Sequence, residues 1–316
     1  YGAGWYDIWL IKTDSFGIKQ WDKTFGGPND DSGNSVQQTT DGGYIVTGWT
    51  FGAGAGKQDV YLIKTDLNGN TLWTKTYGGA ASTYDERAFT VQETTDKGFI
   101  IGGVTSNFGN GFSSDFYLIK TDFKGDTLWT RTYGGTKLDI ALSVAQTPDG
   151  GYILAGETGS FATGGFYDIY VVKTDPLGNL QWTKSYGNES LDYAGALPTK
   201  DGGYIVGGQT VIGINSSLCL IKTNNTGNVS WAKAYGGGNG TASFVHQQTK
   251  DGGFIITGQL SNDFYLVKTD AAGNVLWAKT YGGSAGDYAS SVRQTMDDGY
   301  IIVGHSNSFS SGSVYA

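Results

Sequence analysis

Cysteine occurs once, at Cys219, so the chain can form no internal disulfide. Two histidines, His246 and His305, cannot build a histidine-rich metal centre. Only three arginines are present, Arg87, Arg131 and Arg293, and the net charge is -8. A surface that binds nucleic acid or anionic lipid needs clustered Lys and Arg, so neither is an expected partner. Charged residues make up 16% of the chain, below the roughly 25% usual in globular proteins. No apolar run approaches the roughly 20 residues of a membrane-spanning helix. The chain opens at Tyr1 with no signal peptide, which reads as a mature or trimmed product.

Glycine is abundant, at 52 residues, and so is repetition. The stretch KTDLNGNTLWTKTYGG at Lys64 recurs in variant form at Lys12, Lys120, Lys173, Lys222 and Lys268. Its tryptophans, Trp21, Trp73, Trp129, Trp182, Trp231 and Trp277, are spaced 52, 56, 53, 49 and 46 residues apart. A residue that returns in every unit is explained by what each unit needs to fold, whereas a catalytic residue is needed once. These six tryptophans are therefore structural repeat residues.

Each unit contains four short runs rich in Val, Ile, Thr, Tyr and Trp. In the first complete unit they are Asn34 to Thr40, Gly43 to Trp49, Asp59 to Thr65 and Asn70 to Tyr77. The first two are joined by DGG, repeated with small changes from Asp41, Asp96, Asp149, Asp201, Asp251 and Asp297. The third and fourth are joined by D-x-x-G-N, in which Asp66 and Gly69 close the turn. Four strands per unit of about 50 residues is a propeller blade. The expectation is an all-β, six-bladed β-propeller of four antiparallel strands per blade, one domain over residues 1–316 built of repeats of 46–56 residues. One blade is shared between the ends. The N-terminal run Tyr6 to Thr13 and the strand around Trp21 supply its third and fourth strands, and Ser291 to Gly304 supplies its first two. The tail Ser313 to Ala316 starts a further third-strand pattern and competes for the same place. Cys219 stands where other units carry Tyr61 or Tyr117 and reads as a small core residue.

The T-D-x-x-G-N-x-x-W pattern resembles the tryptophan-docking turn of quinoprotein propellers and, more loosely, the Asp-box of sialidases, with different spacings. With DGGYI and Y-G-G added, the repeat more closely resembles secreted and cell-surface repeat propellers of archaea and bacteria. That resemblance implies the architecture and carries over no catalytic residues.

An acid recurs just before the innermost strand at Asp31, Glu86, Asp139, Asp192 and Asp287, with Thr241 in the remaining unit and Asp85 beside Glu86. These acids are expected to ring the channel mouth on the variable-loop face, with Gln38, Gln146, Gln248 and Gln294 behind them. Such a ring is a candidate calcium or partner site; the plainer reading is that each carboxylate accepts hydrogen bonds from loop backbone. Loop aromatics, Trp5, Trp49, Phe51, Phe108, Phe161 and Phe309, either stack on a partner or fold back on their own loops. No cofactor motif, nucleophile motif or phosphate loop is visible. Arg131 takes an outermost-strand position, so three arginines cannot converge as a sialidase requires. N-x-S/T sequons occur at Asn188, Asn215, Asn224, Asn228 and Asn239. The expected function is a non-catalytic extracellular or cell-surface module, part of a larger surface assembly, holding a protein or glycan on its variable-loop face. The alternative is a carbohydrate-active enzyme using a pair of the ring carboxylates.

Overall fold

A computed structural model describes all residues except 1–4, 53, 55–56, 80–84, 110–112, 164–165, 188–192, 213–214, 239–241 and 309–316. The competing tail from Ser313, together with Asp192, Thr241, Phe309, Asn188 and Asn239, lies outside the described residues.

Every regular element among the described residues is a β-strand. Strands β1 (Ile8–Thr13) and β2 (Lys19–Phe25) form a two-stranded antiparallel sheet. Strands β3 (Asp31–Gln38), β4 (Tyr44–Phe51), β5 (Gln58–Thr65) and β6 (Thr71–Tyr77) form the first four-stranded sheet, paired in chain order. Four more sheets of the same order follow: β7–β10 within 86–133, β11–β14 within 139–186, β15–β18 within 193–238 and β19–β22 within 242–281. The last pair is β23 (Asp287–Gln294) and β24 (Tyr300–Ser306). The fold is thus the expected six-bladed β-propeller; its ends are two separate two-stranded sheets, a two-plus-two split consistent with a shared closing blade. Backbone contacts group the chain into two units, one of residues 1–154 with 173–181 and one of residues 155–172 with 182–316.

The turn chemistry explains why the strands stop where they do. In the third-to-fourth hairpin, Asp66 Oδ1 accepts the backbone N–H groups of Asn68 and Asn70, and Gly69 takes a φ of 74° that favours glycine. A register shift between Lys64 and Thr65 then sets Lys64 opposite Trp73. At the DGG hairpin the middle residue is left-handed, with Gly42 at 85° and, in the DKG and DDG variants, Lys97 at 68° and Asp298 at 66°.

The repeated indole lies between neighbouring sheets, as its spacing predicts. Trp73 meets Phe99 edge to face at 5.9 Å, and Trp129 meets Tyr152 at 5.8 Å. A side chain at Gly125 would strike the Trp73 ring, and one at Gly178 the Trp129 ring, so the turn glycine is demanded twice, by φ and by the neighbouring indole. The tyrosine of Y-G-G completes the lock: Tyr77 Oη donates to Gly125 O at 2.7 Å, and Tyr235 Oη to Gly273 O at 2.9 Å. Cys219 is buried and forms no disulfide, filling the core position expected of it.

Candidate functional site

The DGG aspartates form their turns and also neutralise a charge in the core. Lys64, Lys120, Lys173, Lys222 and Lys268 are buried, and each pairs with a turn aspartate at 2.9 Å: Asp41, Asp96, Asp149, Asp201 and Asp251 respectively. Each ammonium also donates to the carbonyl of the next residue, as Lys64 does to Thr65 O at 2.9 Å. Burial pushes the Asp41 carboxyl up, but hydrogen bonds from Thr39, Lys64 and Gly43 outweigh it and hold the group at about 2. The six-fold return of Lys before Thr-Asp or Thr-Asn was the available signal for this pair.

The recurring acids open their first strands as expected, yet they are not a ring of exposed carboxylates. Asp31, Glu86, Asp139 and Asp287 are all buried. Each accepts the N–H of the second glycine of the preceding corner: Gly27 to Asp31 at 2.7 Å, Gly79 to Glu86 at 3.3 Å, Gly135 to Asp139 at 2.9 Å and Gly283 to Asp287 at 2.9 Å. Thr105 Oγ1 adds a bond to Glu86 at 3.0 Å, and Ser306 Oγ one to Asp287. Burial raises the Glu86 carboxyl, and the nearby Asp59 charge adds to the rise.

The glutamines do not stand behind these acids; they lie at the opposite end of the strands. Gln146, Gln248 and Gln294 accept the backbone N–H of Thr95, Lys200 and Lys250 in the turn beside them, while Gln38 Nε2 donates to Gly42 O. A strand of seven or eight residues separates its two ends by roughly 20 Å, and that distance divides the acids from the amides.

The sequence reading missed the partners of the acids. The aspartates that precede or open the third strands, Asp7, Asp59, Asp115 and Asp263, share the corner glycine with the acid of the next strand pair. It also missed a variable repeat position, the sixth residue of each second strand: Trp49, Val104, Glu157, Gln209, Gln259 and His305. There Glu157 is half-buried and its carboxyl is raised by burial alone.

Among the loop aromatics, two fold back: Phe108 packs on Tyr117 at 5.7 Å and Phe161 on Tyr170 at 5.0 Å. Trp49 lies under the Arg87 guanidinium, 6.0 Å from the ring centre, and Arg131 stacks on Trp129 at 5.5 Å, so two of the three arginines are held by indoles. Trp5 is different. It is 90% exposed and, with Pro28, Asn29, Asp30 and Phe51, frames a depression of about 230 Å³ at the loop end of β3 and β4. Of the sequons, Asn224 and Asn228 sit in the exposed turn between the strands Asn215–Thr223 and Val229–Gly238.

No family profile and no curated protein matches this chain. Among solved structures it is similar to a protein of unknown function from Bacteroides caccae, with TM-score 0.51 and 14% identity, covering 89% of this chain and 92% of that one. It is also similar to Kluyveromyces lactis Hsv2, with TM-score 0.51 and 11% identity over 94% of this chain and 83% of that one. A third similar structure is dihydro-heme d1 dehydrogenase NirN in complex with DHE, with TM-score 0.50 and 9% identity over 89% and 52% of the two chains. At these identities the likeness shows a β-propeller fold, singles out no repeat family and carries no activity across.

Proposed function

We propose that this propeller is a non-catalytic interaction module acting outside the cell or at its surface, within a larger assembly, and that it holds a glycan or protein partner at the loop ends of its strands. The observation that carries the reading is Trp5, an exposed indole over a depression whose rim offers the Phe51 ring and the polar groups of Asn29 and Asp30. An indole beside amide and carboxylate groups is the arrangement that stacks on a sugar face and bonds its hydroxyls. The recurring acids support binding over reaction, because their oxygens accept backbone N–H groups. The test is a screen of polysaccharides and surface proteins with the intact chain and with Trp5→Ala. Binding lost in the variant supports the reading, and binding unchanged by it removes Trp5 from the site.

The carbohydrate-active alternative expected from the sequence uses a pair of the recurring acids; a carboxylate outside that set, Glu157, half-buried in a second strand and raised by burial, suits a general acid better. Release of new reducing ends from a polysaccharide, abolished by Glu157→Gln, would replace the binding reading with that one.

A further inference from the structure

At four of the corners that follow a fourth strand, the first glycine lies between two carboxylates: an aspartate beginning the third-strand run of one sheet and the acid opening the first strand of the next. The pairs are Asp7 and Asp31 at Gly26, Asp59 and Glu86 at Gly78, Asp115 and Asp139 at Gly134, and Asp263 and Asp287 at Gly282. A methyl group on any of these glycines would meet both acids. The farther oxygen would lie 2.5 Å from it at Gly26, 3.1 Å at Gly78, 2.7 Å at Gly134 and 2.6 Å at Gly282. The two oxygens of each pair therefore stand within roughly 5 Å of each other, the span of two ligands of one calcium ion at about 2.3–2.6 Å.

Two like charges held this close and out of water repel unless something positive sits between them. No ion pair among the described residues involves Asp31, Glu86 or Asp287. Two buried oxygens point to a ligand directly. Asp168 is 1% exposed, its Oδ1 is aimed at the corner glycine Gly187, and that oxygen meets no donor among the described residues. Asp31 is 2% exposed: its Oδ2 faces Gly26 and accepts the Gly27 N–H, its Oδ1 meets no donor among the described residues, and with Asp7 the residue lines a cavity of about 330 Å³.

The chain also carries its own control. At one corner both acids are replaced, the third-strand aspartate by Ser217 and the first-strand acid by Thr241. There the glycine, Gly236, has no carboxylate beside it and takes a φ of 80°. A carboxylate that only capped a glycine amide would change without regard to its neighbour; here the two leave together.

We propose that the acid-pair corners are divalent-cation sites of calcium type, each ion tying the third strand of one sheet to the first strand of the next. Two carboxylates supply up to four oxygens. No cluster of three or more candidate ligands occurs among the described residues, so water and main-chain carbonyls would complete the six to eight that calcium takes. Calcium suits the pairs better than magnesium because Glu86 replaces an aspartate at one corner, and calcium accepts such changes of reach where magnesium demands a near-ideal octahedron.

The test uses the full chain, stripped with a chelator and titrated with calcium chloride by calorimetry and equilibrium dialysis, with magnesium chloride alongside. The expected result is uptake of several equivalents of calcium, a raised melting temperature, and loss of one equivalent in the double variant Asp59→Asn, Glu86→Gln. Asp263→Asn with Asp287→Asn probes a second corner, and the count on the unaltered chain needs no variant to fold. Absence of calcium uptake at millimolar concentration overturns the proposal. So does an unchanged count in both double variants, or a chelated chain that gains stability as pH falls and ignores calcium, which would mean that each pair shares a proton.

Discussion

Tyr133 and Tyr281 hold the same place in the repeat, yet Tyr133 is 8% exposed and Tyr281 is 51% exposed. Tyr133 Oη donates to Gly178 O at 2.6 Å, while Tyr281 Oη has no hydrogen bond among the described residues. Around Tyr281, the residues Phe264, Leu266, Trp277, Tyr300 and Ile302 line an open groove of about 760 Å³. The first strand is exposed in the complementary way, with Trp9 at 61% where the equivalent Tyr117 is at 5%. Equivalent repeat positions thus give core at one place and surface at another. Burial is conferred by the adjoining hairpin, which is the nearest-neighbour behaviour of repeat proteins.

The sharpest way to break that comparison is to remove the indole from each region. Trp129→Ala should cost about 3–5 kcal/mol through lost burial and a cavity, and Trp277→Ala, beside the open groove, roughly half as much; urea denaturation of both variants reads the difference. Equal losses would mean that the groove is covered in solution.

A smaller effect is expected at the turn glycines. Gly125→Ala puts a methyl group in a left-handed backbone and 2.8 Å from the Trp73 ring, whereas Gly17→Ala has the same backbone and open space. The second should lose about 1 kcal/mol and the first at least twice that, measured by the same unfolding curves. Smaller again is the hydroxyl: Tyr133→Phe should cost about 1 kcal/mol, and Tyr281→Phe should leave the melting temperature unchanged.

The smallest effect per residue is electrostatic. Asp41 and Asp201, whose burial is outweighed by hydrogen bonds from the neighbouring Thr and Lys, and Asp251, held chiefly by Thr249 and Lys268, all fall from an ordinary 3.8 to about 2. A carboxyl depressed in the folded state contributes stability above its unfolded value and loses it as pH falls through the folded one. Stability should therefore decline between about pH 4 and pH 2, modestly because these carboxylates are largely exposed, and Lys64→Met should flatten Asp41's share in an acid titration. A decline unaltered by that change would assign it to other groups.

The architecture was legible because each blade writes its own turns: Asp66, Gly69 and Trp73 specify a hairpin and its neighbour within ten residues, and six copies remove the ambiguity of one. Short-range chemistry of that kind is carried by sequence. The acids were half legible. Their recurrence was plain, but whether Asp139 faces solvent or a glycine amide depends on strand ends brought together by pairing across sheets. Its companion Asp115 is 24 residues away in the chain, and only the joint exchange for Ser217 and Thr241 hinted at the link. Trp5 was named with Phe108 and Phe161 as one class, although two rings pin their own loops and one does not; side-chain direction in a loop is set by neighbours that no period predicts.

The buried lysines give the molecule a built-in strain gauge for chemists. An amine-reactive reagent at neutral pH will meet the surface lysines freely, yet Lys120, Lys173 and Lys268 are shielded at 3%, 2% and 3% exposure while Lys12, at the equivalent position in β1, is only half covered. Modification of the shielded amines can occur only when their hairpins open. Mass spectrometry of the tagged peptides would therefore rank the blades by how often each one breathes, without a single substitution.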